Sequence, residues 1–370
     1  MAVRQLCEPG VLDTSRPLAG RAAVPERVLG VAATRDLATV AVATSAPWFP
    51  GHGELLLLRP ASDATPLRLP LVRGARSAVA HDLVLGHEGS TLTASLGGTE
   101  DQPGGGTVHW SLTGAPRELW RRSAGRPALG ADGETGHSRL AISEDGTTVV
   151  GGDPASHQVT ALGAHAGNRL FDGEGDPGRP GALGGTGAVA VDARGSRIAF
   201  RLCRCHGRAT EGEIAVPALR TGAFTTHATG MAWSCGMAFS PDGSELVVVG
   251  VADGRAVATV IDLTGRPGDA RPWTVLGALS PEARRQTVRP VWGALGPRAA
   301  VRSGHTVTVW DLARGSALYA VDDMGTETAW ALTPDGGALV TATPDVLHAH
   351  RFDTPAAAAG AAGSEVGHRP

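Results

Sequence analysis

Lysine does not occur in this chain of 370 residues, so all 33 basic side chains are arginines. That absence excludes a Walker A phosphate loop, a pyridoxal Schiff base and a Ser–Lys dyad, each of which needs the ammonium group. Cysteine is scarce too: Cys7, Cys203, Cys205 and Cys235 are the full set. Four in a chain of this length do not make a disulfide framework, which points to a reducing cytosol. Asparagine occurs once, at Asn168, and tyrosine once, at Tyr319; a GC-rich genome accounts for the bias. No run approaches the ~18 apolar residues that span a bilayer, so no membrane partner is expected. The first ten residues hold no apolar h-region, and no secretory signal is expected. A net charge of −3 carries no basic excess, which argues against nucleic acid as a partner.

What is abundant is turn chemistry. Glycine numbers 52 and proline 25, beside 42% hydrophobic residues, a balance suited to many short strands. One pattern recurs: an apolar run, a small polar residue, two turn residues, a glycine pivot, then a second β-rich run. It reads Met237-Ala-Phe-Ser-Pro-Asp-Gly243, Trp330-Ala-Leu-Thr-Pro-Asp-Gly336 and Leu140-Ala-Ile-Ser-Glu-Asp-Gly146. Looser copies are Val189-Ala-Val-Asp-Ala-Arg-Gly195, Leu83-Val-Leu-Gly-His-Glu-Gly89 and Val291-Trp-Gly-Ala-Leu-Gly296. The weakest is Val31-Ala-Ala-Thr-Arg-Asp-Leu37, where leucine replaces the glycine. Proline presets φ, aspartate bonds local backbone, and glycine accepts positive φ without steric cost. The pivots fall at 37, 89, 146, 195, 243, 296 and 336. A copied hairpin at a drifting period marks an array of like units.

A third apolar run follows each hairpin, as in Thr306-Val-Thr-Val-Trp-Asp-Leu312 and Thr259-Val-Ile-Asp-Leu263. A fourth, usually more polar run comes next: Leu67 to Val72, Arg117 to Trp120, Arg169 to Phe171, Ala223 to His227 and Pro272 to Leu276, with the apolar Ala317 to Val321 as the exception. Four strands per unit, most apolar inside, need neighbours stacked radially to bury both faces. The seventh unit lacks its fourth strand and runs into an Ala/Gly-rich tail, 355–370. The apolar segments Val3 to Leu6 and Val11-Leu12 are expected to supply that strand and close the ring, with Arg16 to Glu26 as a connector. Residues 1–354 then form one all-β, seven-bladed β-propeller of four-stranded blades.

The Ser-Pro-Asp-Gly hairpins together with Val309-Trp310-Asp311-Leu312 resemble WD40-type β-propeller repeats over Val28 to Asp353. Trp310-Asp311 matches the family dipeptide fully; Ile261-Asp262 and Trp110-Ser111 match it in part. The Gly-His dipeptide that precedes the first strand of a family repeat is missing, so the chain looks like a degenerate, bacterial-type member. The resemblance implies a rigid, non-catalytic platform without cofactor, monomeric, that binds a protein or peptide partner through its loop faces. The alternatives are a propeller enzyme of lactonase or hydrolase type with a central-channel site, and a sensor module for a separate signalling protein.

Candidate chemistry concentrates in few places. Cys203, Cys205 and His206 lie where the second strand of the fourth unit runs into a loop, and Cys235 follows about one unit later. Thiolate and imidazole suit zinc or redox chemistry, and Arg201, Arg204 and Arg208 would lower a thiol pKa. The spacing is not the usual Cys-x2-Cys, and buried cysteine as a small apolar filler is the commoner case. Asp172-Gly-Glu174-Gly-Asp176 alternates carboxylates but lacks the closing glutamate of a calcium loop, and reads as an acidic turn between blades. His348 and His350 share one face of the last strand, read as the outer, half-exposed one. No Gly-x-Ser-x-Gly elbow occurs and no catalytic residue is assigned. Trp48, with Phe49 and His52 in an apolar loop, is the candidate partner contact, because exposed aromatics are enriched at binding hot spots. Loops 47–53, 97–106 and 172–187 are the long, variable ones, as recognition loops tend to be.

Overall fold

The computed structural model of the chain describes residues 11–17, 27–45, 53–60, 66–69, 79–97, 106–123, 139–153, 158–174, 188–202, 212–265, 272–278, 288, 290–293, 295–322, 324, 328–343 and 346–352. Among these the regular structure is β, apart from one short 3₁₀ turn at His87–Gly89. Seven sheets of four antiparallel strands form a ring, a β-propeller. Blade one holds β2 (Arg27–Ala33), β3 (Val40–Ser45), β4 (Gly53–Leu58) and β5 (Leu67–Leu69). Blade two holds β6 (Val79–Gly86), β7 (Thr91–Gly97), β8 (Gly106–Ser111) and β9 (Arg117–Ser123). Blade three holds β10 (Arg139–Ile142), β11 (Thr148–Asp153), β12 (Gln158–Gly163) and β13 (Arg169–Glu174). Blade four holds β14 (Val189–Val191), β15 (Ile198–Arg201), β16 (Glu213–Pro217) and β17 (Phe224–Ala228). Blade five holds β18 (Trp233–Phe239), β19 (Glu245–Ala252), β20 (Arg255–Asp262) and β21 (Thr274–Ala278). Blade six holds β22 (Pro290–Gly293), β23 (Gly296–Ser303), β24 (Thr306–Asp311) and β25 (Ser316–Val321). Blade seven is β26 (Ala329–Leu332), β27 (Ala338–Ala342), β28 (Val346–Arg351) and, on its outer edge, β1 (Val11–Pro17).

The turn joining the first two strands is built the same way in four blades. The hydroxyl of Thr34, Ser143, Ser240 or Thr333 donates to the carboxylate two residues on, Asp36, Asp145, Asp242 or Asp335, at 2.6 to 2.7 Å. The same oxygen accepts the backbone N–H that starts the next strand, from Thr39, Thr148, Glu245 or Ala338. In blade four Asp192 stands in the hydroxyl position and takes N–H bonds from Ser196 and Arg197 itself. Positive φ at the pivot completes the turn, at Gly146, Gly195, Gly243 and Gly336, and at Leu37 with φ 62°. The pivot leucine is itself buried against blade seven.

Seven apolar clusters line the seven blade-to-blade interfaces, so the core is a ring of layers rather than one centre. Ala41 and Leu55 of blade one meet Leu83 and Trp110 of blade two. Ile214 and Val216 of blade four meet Phe239 and Leu246 of blade five. Val42 and Leu56 of blade one meet Val340 and Leu347 of blade seven, which closes the circle. Middle strands are therefore buried on both faces, β3 almost throughout, while the outer β17 is largely exposed. Side-chain bonds staple the layers: Trp120 Nε1 donates to Ala164 O at 2.6 Å, Trp273 Nε1 to Thr229 O at 2.9 Å, and Arg298 to Gly336 O at 2.7 Å.

Three expectations are corrected. Arg16 and Pro17 belong to the closing strand, not to a connector: β1 pairs with β28 from Val11↔His350 to Pro17↔Val346, with a bulge between Leu12 and Arg16. The bulge carries the strand on to the far end of β28, and proline is tolerated because the edge faces no further strand; Val3 to Leu6 lies outside the described residues. Asp172 and Glu174 lie on β13 rather than in a turn, and Asp172 pairs with Arg169. The side chain of His350 does not face outward. Its ring sits 5.8 Å from that of Tyr319 in blade six, because β28 is the third strand of its blade and β1 covers its edge.

Candidate functional site

Strand order divides the connections between two faces of the ring. On one face lie the turns between first and second strands and those between third and fourth. Six of the blades tie these together with a backbone bond, such as Leu112 N to Ser90 O, Leu263 N to Ser244 O and Phe352 N to Gly337 O, at 2.7 to 3.0 Å. The other face collects the connections between second and third strands and those from blade to blade. Apart from 59–66 and 263–273, the long connections join strand ends on this second face: 18–26, 46–52, 70–78, 98–105, 124–138, 175–187, 203–211 and 279–289.

All three loops singled out from the sequence, 47–53, 97–106 and 172–187, therefore open from the same face. Trp48, Phe49 and His52 lie outside the described residues, between Ser45 of β3 and Gly53 of β4, two ends on that face. Cys203, Cys205 and His206 also lie outside them, between the ends of β15 and β16 on the same face. Cys235 is described. It is the extra residue of a β-bulge in β18, half-buried, packed against the core between blades five and six. Among those residues, no three His, Cys, Asp or Glu side chains converge as metal ligands would.

The inner strands surround an axial channel of about 270 Å³. Every blade contributes to its wall, through Ala33, Leu85, Ala141, Val191, Ala238, Trp292 and Leu332 among others. The one acidic or basic side chain in the described wall is Asp82, which was not anticipated. Its Oδ1 accepts the N–H of Leu83 at 3.1 Å and its Oδ2 that of Leu140 at 2.8 Å, so the buried carboxylate bridges blades two and three. Bulges recur near the start of three inner strands, with extra residues Leu29 in β2, His81 in β6 and Cys235 in β18. Bulges re-aim side chains and cluster beside sites, and all three stand at the channel end nearer the long connections.

Histidine is used inside the layers. His109 is fully buried, stacked on Trp120 at 5.2 Å, with Nδ1 2.7 Å from the Thr93 hydroxyl. Burial pushes its pKa down to about 4, with His165 adding to the shift. Burial likewise lowers His227, whose Nε2 lies 3.0 Å from the Thr225 hydroxyl, and His350. The partners of His109 and His227 sit on a paired strand and on the same strand, so strand alternation was the available signal for residues that the sequence reading did not single out.

No family model matches the sequence, and no curated protein matches it either. Solved structures share its fold. A chain from the crystal structure of a mitotic checkpoint complex aligns with TM-score 0.58 and 15% identity, covering 96% of this chain and 98% of that one. A chain of Kuenenia stuttgartiensis hydrazine synthase aligns with TM-score 0.60 and 12% identity, covering 90% of this chain and 99% of that one. At such identities the likeness is one of fold. No helix among the described residues is long and apolar enough to cross a membrane.

Proposed function

We propose that this ring is a non-catalytic interaction platform of WD40 type, which binds a protein or peptide partner through the face carrying the long connections. The observation that supports the reading is the asymmetry of the two faces. One is closed by short turns that are hydrogen-bonded to each other; the other gathers most of the long connections between rigid blades. Variable loops held on a rigid frame are the usual construction of a recognition surface. The presence of a similar propeller in a multi-protein complex is in keeping with this reading. The channel wall is apolar, and its described carboxylate is engaged by two backbone N–H groups, which favours a platform over a channel-centred hydrolase. The protein acts as a cytoplasmic monomer, with Trp48, Phe49 and His52 among the contacts.

Affinity capture from the native host, followed by hydrogen-exchange mapping, tests this. A partner footprint on the face of connections 46–52, 98–105 and 175–187 is expected. A footprint confined to the Pro-Asp-Gly turns would reject the assignment of the face. Trp48→Ala is expected to weaken capture at least tenfold, as loss of an aromatic hot spot does, with an unchanged melting temperature. Equal affinity in that variant removes the Trp48 contact.

A further inference from the structure

Two histidines and the chain's one tyrosine meet where blade seven packs on blade six. His348 and His350 stand two apart on β28, so strand alternation turns both to the same face, and β25 of blade six brings Tyr319 to them. All three side chains are half-buried, so solvent reaches them. Their separations are those of ligands around an ion. Tyr319 Oη lies 3.4 Å from His350 Nδ1, beyond the ordinary range of a hydroxyl hydrogen bond. At bond lengths of about 2.0–2.1 Å, two ligands of one tetrahedral ion stand about 3.4 Å apart, against about 2.9 Å for neighbours in a square plane. The ring centres of His348 and His350 are 6.1 Å apart. Two imidazoles on one ion span up to roughly 6.4 Å at the same bond lengths. The other nitrogen of His350, Nε2, faces the Thr341 hydroxyl at 3.5 Å, an oxygen placed as the outer partner of a ligating imidazole is. Burial, with the charge of His348 adding to it, lowers the pKa of His350, so at neutral pH the ring keeps a lone pair for a cation.

We propose that Tyr319, His348 and His350 bind a zinc-type divalent cation, which clamps blade seven to blade six. Two imidazole nitrogens and a phenolate oxygen make a three-ligand set, with the fourth position left to water. Burial raises the pKa of the Tyr319 phenol, so it stays protonated at neutral pH until the ion arrives. The dication reverses that preference. The O–H proton passes to solvent, and the phenolate offsets one of the two positive charges. The tetrahedral spacing favours Zn²⁺ or Co²⁺ over Cu²⁺. The clamp has a definite place in the fold: His350 pairs with Val11 of the closing strand β1, so the ion fixes the blade on which closure depends. Partner binding at the loop face does not call on these residues.

Titration of the chelator-stripped full chain with Co²⁺, and then with Zn²⁺, tests this. The visible bands of a tetrahedral ion should saturate at one Co²⁺ per chain. A tyrosinate band in the near ultraviolet should rise with them, and Tyr319, the chain's one tyrosine, is its source. Zn²⁺ should displace Co²⁺, keep the tyrosinate band and raise the melting temperature. His348→Ala and His350→Ala should each weaken binding by about tenfold or more, and Thr341→Val by about tenfold through the lost outer partner. Tyr319→Phe should erase the tyrosinate band. The proposal is overturned by the absence of saturable Co²⁺ bands or by binding that survives replacement of both histidines. Co²⁺–thiolate bands in place of the tyrosinate band would also overturn it, by putting the ion on the cysteines. The tyrosinate band of the unaltered protein decides the matter even if a variant misfolds.

Discussion

Single residues carry much of what makes the repeats alike. The hydroxyl–carboxylate pair at the turns of four blades satisfies the start of the next strand and fixes the reversal. At Asp242 the Ser240 hydroxyl, with the N–H and hydroxyl of Ser244, holds the carboxyl down at about 2. The opposite case is the histidine buried between layers. His109 titrates near 6.5 when unfolded and about 4 when folded, so the unfolded chain binds more protons between those values. Stability is therefore complete above the unfolded value and falls as pH drops through 6.5, levelling off below about 4. For a fully buried group that window corresponds to about 3 kcal/mol. Urea unfolding of the protein and of His109→Leu between pH 7.5 and 4 should show a shallower acid loss in the variant, by roughly that amount. Parallel profiles would mean that folding leaves the pKa of His109 at its unfolded value. His227 and His350, lowered in the same direction, should leave a residual slope.

At the scale of elements, the outer strands show what stacking adds to local chemistry. Trp120 on β9 reaches into blade three, where its ring lies against Gly167 and its Nε1 bonds Ala164 O. A Cβ at Gly167 would lie 2.8 Å from Trp120 Cγ, and its φ of +61° disfavours any side chain. Trp120→Phe should cost ~1–2 kcal/mol through the lost bond and reduced area, and Gly167→Ala more, since it strains backbone and contact together. Chemical denaturation of both variants checks the order; a neutral Gly167→Ala would show that the staple is not rigid. The same distinction explains what was legible beforehand. Turns such as Ser240 to Gly243 depend on residues within five positions, so all seven hairpins could be read from sequence. Outer strands were found but misbounded, β13 running on to Glu174 and β21 on to Ala278, because neighbouring strands decide where they stop. Asp82 stayed invisible because its partner Leu140 lies 58 positions away on another blade. The candidates at Trp48 and at Cys203 to His206 fall in connections, where no repeating local chemistry dictates a path.

The whole molecule depends on closure. Each blade is stabilised by two neighbours, so a ring opened at one interface loses a layer of core and bares two apolar sheet faces. Blade seven is the place where closure is local to one strand. β1 supplies the outer partner of β28, pairing at Val11, Leu12, Arg16 and Pro17 on either side of a bulge. Unlike the other outer strands, it joins its sheet from the opposite end of the chain, so it holds the first and last segments together. Without it, the edge of β28 would stand open over Val346–Arg351, a template for pairing with other chains. Deleting residues 1–17 should therefore lower stability by ~2–4 kcal/mol from the lost ladder bonds and lower Tm by about 5 °C. It should also promote self-association measurable by light scattering. A synthetic peptide covering residues 9–19, added in excess, should restore Tm and suppress the association, because the vacant edge accepts the same strand in trans. A truncated chain that melts like the full one would show that β1 decorates blade seven rather than closing the ring. A truncated chain that is destabilised but not rescued would place its contribution in residues 1–8 instead of the β1 ladder.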